Sequence, residues 1–366
     1  MARLVVCLPY PDKDVGYLKR QEGIAVITAM LIVALGTITV VAIAARQQFD
    51  MQREQNEGLI QMARDFSISG ERFAVAMLYR DRKEGMRNNS DSLDDDWAQT
   101  IPPVPIDNAS IKGCIVDMQG RFNLNNLINE EGDLVEQYVV QLKSLLSELS
   151  IDQLKAEAIV DWVDKDVNAT VPDGAEDDYY TGLTPAYRAA NQPFYSVSEL
   201  LLVKGFSANV EEEKADYELL IPHIAALPHD GRATAVNVNT ATPEVISSLS
   251  PFLKSLGASL SRWDTGAYED YPECEDIFDL DAKETAGSIL QDDELLPYES
   301  VQLFDAEAAP GAGEEVAPAG SYDVRSRYYQ LRIDMATEGL AISQFTLLER
   351  QDDGKVRVIS RSRDVL

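Results

Sequence analysis

Two cations and a glycine, Lys19-Arg20-Gln21-Glu22-Gly23, precede an uncharged run from Ile24 to Ala45. Only Thr28, Thr37 and Thr39 interrupt its Ile, Val, Ala, Leu, Met and Gly residues. As a helix this run is about 33 Å long, enough to cross a bilayer core. A secretory signal has a shorter apolar region, about 7–15 residues, with the small residue of its cleavage site after it. Here the small residue, Gly23, comes first. The order therefore predicts a helix that is kept, with any cleavage falling in front of it. Arg3, Lys13, Lys19 and Arg20 precede the run, so the positive-inside rule leaves the N-terminus in the cytoplasm and carries the rest across the membrane.

From Arg46 to about Tyr79 there is no proline, and Phe49, Ile60, Ala63, Phe66, Phe73 and Met77 recur at near-helical spacing. The spacing predicts one long helix, apolar throughout in its first half and amphipathic in its second, with Gly58 and Gly70 as local weak points. Asn88 to Pro105 reads as a loop. Ile111 to Phe122 reads as a strand, a turn and the start of another strand. Stripes of leucine and other apolar residues then predict helices from Leu134, from Ile151 with Ser150 as cap, from a capping box at Ser196–Glu199, from Glu211, and from Thr242-Pro243. In the last fifty residues Tyr328–Ala336, Leu340–Glu349 and Lys355–Ser362 alternate apolar and polar, with turns at Glu338-Gly339 and Asp353-Gly354. Such a three-stranded meander needs a helix against its apolar face, and the N-terminal helix is the natural one.

The expected fold is thus α+β, a long N-terminal helix packed on a C-terminal antiparallel sheet with a large all-helical insert. By residue, 1–23 is a leader cut after Gly23, and 24–45 is the transmembrane and assembly half of the helix. Residues 46–125 hold the rest of the helix and the first strands, 126–282 the insert, and 283–366 the C-terminal sheet.

Charge excludes some classes of function. With 62 acidic and 32 basic residues in 366, the formal net charge is -30, a field that repels phosphate backbones. Val203-Lys-Gly205 and Asn237-Val-Asn-Thr-Ala241 resemble helix-hairpin-helix (SAM-like) modules. Glu211, Glu212, Glu213 and Asp216 surround them, so no nucleic acid is expected. Two histidines, His223 and His229, and no Gly-x-Ser-x-Gly elbow leave no catalytic constellation, so no enzyme activity is expected. Three cysteines occur. If Cys7 leaves with the leader, Cys114 and Cys274 either form one disulfide closing a long loop or remain two separate buried thiols. Asp164, Asp166, Asp173, Glu176, Asp177 and Asp178 lie in a loop-rich segment between helices, and such oxygen ligands suit calcium. No spacing matches the twelve-residue helix-loop-helix calcium pattern, and by composition alone a solvated acidic loop is the simpler account of the cluster. Glu273, Glu275 and Asp276 beside Cys274 form a weaker second cluster.

Basic residues, glycine, an uncharged run, a continuing amphipathic helix and a C-terminal sheet together resemble the type IV pilin superfamily. The resemblance implies that a prepilin peptidase cuts between Gly23 and Ile24 and methylates the new N-terminus. Pilins of the filament body carry glutamate at the fifth mature position; here it is Thr28. Ala158-Ile-Val-Asp-Trp-Val-Asp164, Asp173-Gly-Ala-Glu-Asp-Asp-Tyr-Tyr180, Tyr187-Arg-Ala-Ala-Asn-Gln-Pro193, Ser196-Val-Ser-Glu-Leu200 with Val203-Lys-Gly205, and Val238-Asn-Thr-Ala241 narrow the match. With them the chain resembles the K-type minor pseudopilins of type II secretion. That resemblance implies a subunit at the pseudopilus tip, initiating or capping assembly with I- and J-type minor pseudopilins on the inner-membrane assembly platform. It also implies structural calcium, with Asp164 and Glu176 to Asp178 as favoured ligands. The alternatives are a minor pilin of a type IV pilus, for adhesion or DNA uptake, and a membrane-anchored periplasmic hydrolase.

Overall fold

The computed structural model describes residues 22–84, 89–98, 101–106, 109–229, 231–262, 296–308, 316–337 and 341–363. Residues up to Gln61 and residues from Met62 onward form two compact units. The leader therefore lies outside the described residues, apart from its last two.

In the first unit, helix α1 (Glu22–Glu84) begins. Every side chain from Ile24 to Ala45 is exposed, and among the described residues α1 is the helix long and apolar enough to cross a membrane. The threonines in that run need no partner from outside. Thr28 Oγ1 donates to the carbonyls of Ile24 and Ala25, each at 3.0 Å. Thr37 does the same to Val33 and Ala34. Hydroxyls spent on their own helix are what an apolar surrounding demands. Further on, Arg53 and Glu57 pair at i,i+4 across 2.9 Å.

In the second unit, the remainder of α1 lies on a five-stranded antiparallel sheet. The strands are β1 (Ile101–Ile106), β2 (Ala109–Asp117), β7 (Tyr328–Thr337), β8 (Ala341–Arg350) and β9 (Val356–Ser362), in the order β1-β2-β7-β8-β9. The C-terminal meander is as expected. The loop reading of Asn88 to Pro105 is corrected in part, because Ile101–Ile106 pairs with β2 despite Pro102, Pro103 and Pro105. An edge strand needs only one side of its backbone to pair, so proline is tolerated there.

The period-two pattern separates the faces of the sheet. Ile115, Tyr329, Leu331, Ile333 and Leu348 pack with Ala74 and Leu78 of α1 and with Trp97. Trp97 meets Tyr329 edge-on at 5.2 Å between ring centres. Cys114, Val116, Tyr328, Phe345 and Leu347 form the opposite face, against Ala225 and Leu227 of the insert. Gly70 is not a weak point of α1 but a point of close approach. A Cβ there would stand 2.4 Å from Ile333 Cδ1. The next residue, Glu71, accepts from Arg361 Nε at 2.6 Å and from Thr346 Oγ1 at 3.1 Å, fastening the helix to β8 and β9.

The insert has its own core. It contains α2 (Glu136–Glu148), α3 (Lys155–Val163), α4 (Asp177–Tyr180), α5 (Glu211–Leu220), α6 (Pro243–Ser248), α7 (Gly257–Leu260) and α8 (Val301–Ala308). The capping box at Ser196 opens a 3-10 helix, Val197–Leu202. Three expectations change. Ser150, at φ +61°, ends α2 rather than capping α3, and Asp152 Oδ1 instead accepts the Leu154 N–H at 3.0 Å. The insert is not purely helical: β3 (Phe122–Asn123) pairs in parallel with β4 (Ile224–Ala225), and β5 (Val236–Asn237) with β6 (Tyr322–Asp323). Its core also runs past residue 282, taking in Tyr298, Phe304, Ala308, Val316 and Val324. A short helix ahead of the meander gives no period-two signal, so that boundary was not legible.

Arg350, almost wholly buried, joins these parts. It pairs with Asp81 of α1 at 2.9 Å, with Asp91, and with the Ser326 carbonyl at 3.1 Å. Removing one partner of such a group leaves uncompensated buried charge, at a cost of about 3–5 kcal/mol. Arg350→Met is expected to destabilise the chain by that amount in urea denaturation followed by tryptophan fluorescence. Lys355→Met, which breaks the exposed pair with Asp353, should leave the midpoint unchanged. Equal midpoints for both variants would contradict the role given to Arg350.

Candidate metal centre

Helix α3 ends at Asp164, whose backbone N–H still bonds to the Val160 carbonyl at 3.0 Å. A carboxylate there faces the negative end of the helix dipole and gains nothing from it. Asp166 follows on an Asx-type turn, its Oδ1 accepting the Asn168 N–H at 2.7 Å. The chain then folds back. Gly174 makes that possible, since a Cβ at this residue would sit 2.1 Å from Asp161 Oδ2. Glu176 arrives as the N-cap residue of α4, its carbonyl accepting the Tyr179 N–H at 2.8 Å.

Asp164, Asp166 and Glu176 thus converge, each offering a carboxylate oxygen within 4.8 Å of the other two. Glu176 is only 5 % exposed, and neither of its carboxylate oxygens has a hydrogen-bond partner. Burial, then repulsion from Asp161, Asp164 and Asp166, pushes the Glu176 carboxyl up to about 7. Burial, then Asp166 and Asp161, pushes Asp164 up to about 6. Asp161, fully buried beside them, spends both oxygens on the Thr170 N–H at 3.0 and 3.1 Å. Neighbouring cations are committed elsewhere: Lys165 to Asp133, Arg188 to Asp177 and Lys204 to Asp173.

Three converging carboxylates, two of them with raised proton affinity and one with both oxygens buried and orphaned, form a site that asks for positive charge. Hard oxygens in irregular backbone suit calcium, whose remaining coordination positions would fall to backbone carbonyls and water. The residues present therefore fit that ion.

The other predicted ligands are not at this centre. Asp173 is held by Lys204 Nζ at 2.8 Å, and its N–H donates to Glu157. Asp177 accepts the Ala189 N–H at 3.2 Å, and Asp178 is exposed. Six acids in one short segment look alike in sequence; only the fold shows which three converge. Glu273, Glu275, Asp276 and Cys274 lie outside the described residues. Cys114 is disulfide-bonded, and its partner too lies outside them. The predicted scissile bond, Gly23–Ile24, falls in the first turn of α1.

Sequence reading missed a second carboxylate group, Asp81, Asp91 and Asp95. Arg350 already meets the charge of Asp81 and Asp91, from more than 250 residues away along the chain. No local signal could have revealed it. Gly205 of the helix-hairpin-helix lookalike, at φ +91°, gives its carbonyl to Lys155 Nζ at 2.8 Å, and that same ammonium pairs with Asp216.

Comparison with known proteins places the chain. It is 32 % identical over 348 residues to the type II secretion system protein K of Pseudomonas aeruginosa, covering 93 % of this chain and 92 % of that one. The chain belongs to the type II secretion system protein K family. The family described as type II secretion system (T2SS), protein K matches residues 120–229, the stretch that holds the carboxylate centre. The protein K of Aeromonas hydrophila is 34 % identical over 238 residues, covering 62 % of this chain and 69 % of its own. The crystal structure of the GspK-GspI-GspJ complex from enterotoxigenic Escherichia coli superposes with a TM-score of 0.63 at 23 % identity. It covers 85 % of this chain and 99 % of the matched one, which shows the same fold. The chain is therefore a minor pseudopilin of type II secretion, a structural component, and the type IV pilus alternative is not favoured.

The raised carboxylates have a consequence for the metal-free protein. Between about pH 4 and pH 7 the folded state holds protons at Asp164 and Glu176 that the unfolded chain has released, so their contribution to stability falls as pH rises through that window. Glu176→Gln removes one such group. In the presence of chelator it is expected to raise the melting temperature more at about pH 8 than at about pH 5. A shift of equal size at both pH values would show that Glu176 is not strained by its neighbours.

Proposed function

We propose that this protein K-family chain stands at the tip of the type II secretion pseudopilus, where it initiates or caps assembly with one I-type and one J-type minor pseudopilin. The observation that carries the reading is Thr28. Its hydroxyl is satisfied within its own helix by the carbonyls of Ile24 and Ala25. Subunits of the filament body, in the resemblance drawn above, carry a glutamate there that a neighbour's N-terminal ammonium neutralises. A terminal subunit has no neighbour beyond it, and a lone carboxylate in lipid is costly. Threonine avoids that charge. The large insert supports the same position, since bulk that would clash in the body of a filament is accommodated at its end. The relative found in a GspK-GspI-GspJ complex supports the choice of partners.

In this reading the chain is made with its first residues in the cytoplasm and its domain in the periplasm, held by residues 24–45. Prepilin peptidase cuts at Gly23–Ile24 and methylates Ile24, and the inner-membrane platform draws the subunit into the growing tip. Calcium held by Asp164, Asp166 and Glu176 neutralises the buried carboxylates and fixes the 164–176 loop. Cys114 and Cys274 form the disulfide.

One experiment reads all of these. The full-length chain is co-expressed with I- and J-type partners and prepilin peptidase, extracted in detergent and weighed by native and intact-mass spectrometry. Expected are one copy of each partner, a chain beginning at methylated Ile24, and a calcium mass that chelation removes. A chain that weighs alone, or one that still begins at Met1, would overturn the proposal.

A further inference from the structure

The insert contains one arrangement twice. In the first half, Phe122–Asn123 pairs in parallel with Ile224–Ala225; in the second, Val236–Asn237 pairs in parallel with Tyr322–Asp323. Asn123 Oδ1 accepts the Asn125 N–H at 3.1 Å, and Asn237 Oδ1 accepts the Asn239 N–H at 3.0 Å. Two helices follow in each half, α2 and α3 or α6 and α7. A segment further along each half is gripped in the same way. Asn125 Oδ1 accepts the Phe194 N–H at 2.7 Å and Asn125 Nδ2 donates to the Phe194 carbonyl at 2.9 Å. Asn239 does the same to Tyr298 at 2.7 and 2.9 Å. A Ser-Val pair begins two residues later in both, at Ser196 and Ser300, and a fully buried Leu200 or Phe304 follows four residues after the serine. Both asparagines are about 99 % buried.

We propose that Asn125 and Asn239 are equivalent positioning residues, each fastening a distant segment of its own half, and that Asn125 thereby sets the affinity of the carboxylate centre for its cation. The second clause rests on the calcium reading above. The connection is short. Asn125 holds Phe194, and three residues before it Asn191 donates its backbone N–H to the Trp162 carbonyl at 2.9 Å and its side-chain amide to the Asp166 carbonyl at 2.7 Å. The segment that Asn125 anchors is thus bonded to the backbone of a ligand. Groups hydrogen-bonded to ligands typically change metal affinity by about 10–100-fold when altered, and Asn125 holds the segment that carries one, Asn191. Asn239 has the same burial and the same kind of bonds, but in the half without this centre, which makes it the internal control.

The test uses the full-length chain in detergent, with Asn125→Asp and Asn239→Asp. Each keeps the shape of the side chain while losing the Nδ2 donor and setting a carboxylate against backbone carbonyls. Hydrogen exchange read by mass spectrometry needs no metal. Asn125→Asp is expected to lose protection across 164–194 and keep it across 296–304, and Asn239→Asp to do the reverse. Titration with calcium alone should then give about tenfold weaker binding for Asn125→Asp and unchanged binding for Asn239→Asp. If Asn125→Asp does not fold, Asn125→Ser, which shortens the side chain without adding charge, takes its place. Exchange that is unchanged, or that loosens both halves alike in both variants, overturns the positioning role. Wild-type calcium affinity in Asn125→Asp, or an equal loss in Asn239→Asp, overturns the link to the cation. If the wild-type chain itself binds no calcium, the calcium reading fails, while the exchange result still decides what Asn125 and Asn239 do.

Discussion

The buried guanidinium of Arg350 is the interaction on which the periplasmic unit depends. It stands at the end of β8, over the Tyr329 ring at 4.9 Å, and reaches Asp81 on α1, Asp91 in the connection after α1, and the carbonyl of Ser326 just before β7. Asp91 passes the connection on, since its carbonyl accepts the side-chain amides of Asn237 and Asn239 in the insert. Asn237 and Ser326 both donate to Asp117 at the end of β2. Helix, sheet and insert therefore meet in one continuous set of buried hydrogen bonds. Buried ion pairs add little net stability against an apolar alternative, but they penalise any arrangement that parts them. Here that penalty fixes where a large insert sits on a small sheet.

What could be read from sequence follows from the range of the forces involved. The uncharged run, the amphipathic continuation of α1 and the alternation in Tyr328–Ser362 are local patterns, each set by which face is buried, and each appears in the structure as expected. Strand β1 was hidden because its prolines speak against pairing, and only its position at the edge makes them harmless. The end of the insert was hidden because Phe304 and Val324 are buried by residues far back in the chain.

The carboxylate centre shows the same division. An acid-rich loop between α3 and the capping box is plain in the sequence, and its chemistry points to a cation. Asp173 and Asp177 have the same composition around them as Asp164 and Glu176, yet the fold gives them Lys204 and the Ala189 N–H. Glu176 alone among these acids is left with both oxygens buried and unpartnered. The duplicated Asn-x-Asn arrangement was on the page as two short peptides, Asn123–Asn125 and Asn237–Asn239, but its meaning lay in contacts about 60 to 70 residues away.

An uncharged apolar helix, a neutral Thr28 and a bulky insert all suit the proposed place at the tip of a filament. Gold labelling of a tag at Leu366, imaged by electron microscopy on pseudopili raised by overproducing the filament-body subunit, tests this most directly. One label per filament, at one end, is expected; labels spaced along the filament would contradict a tip position.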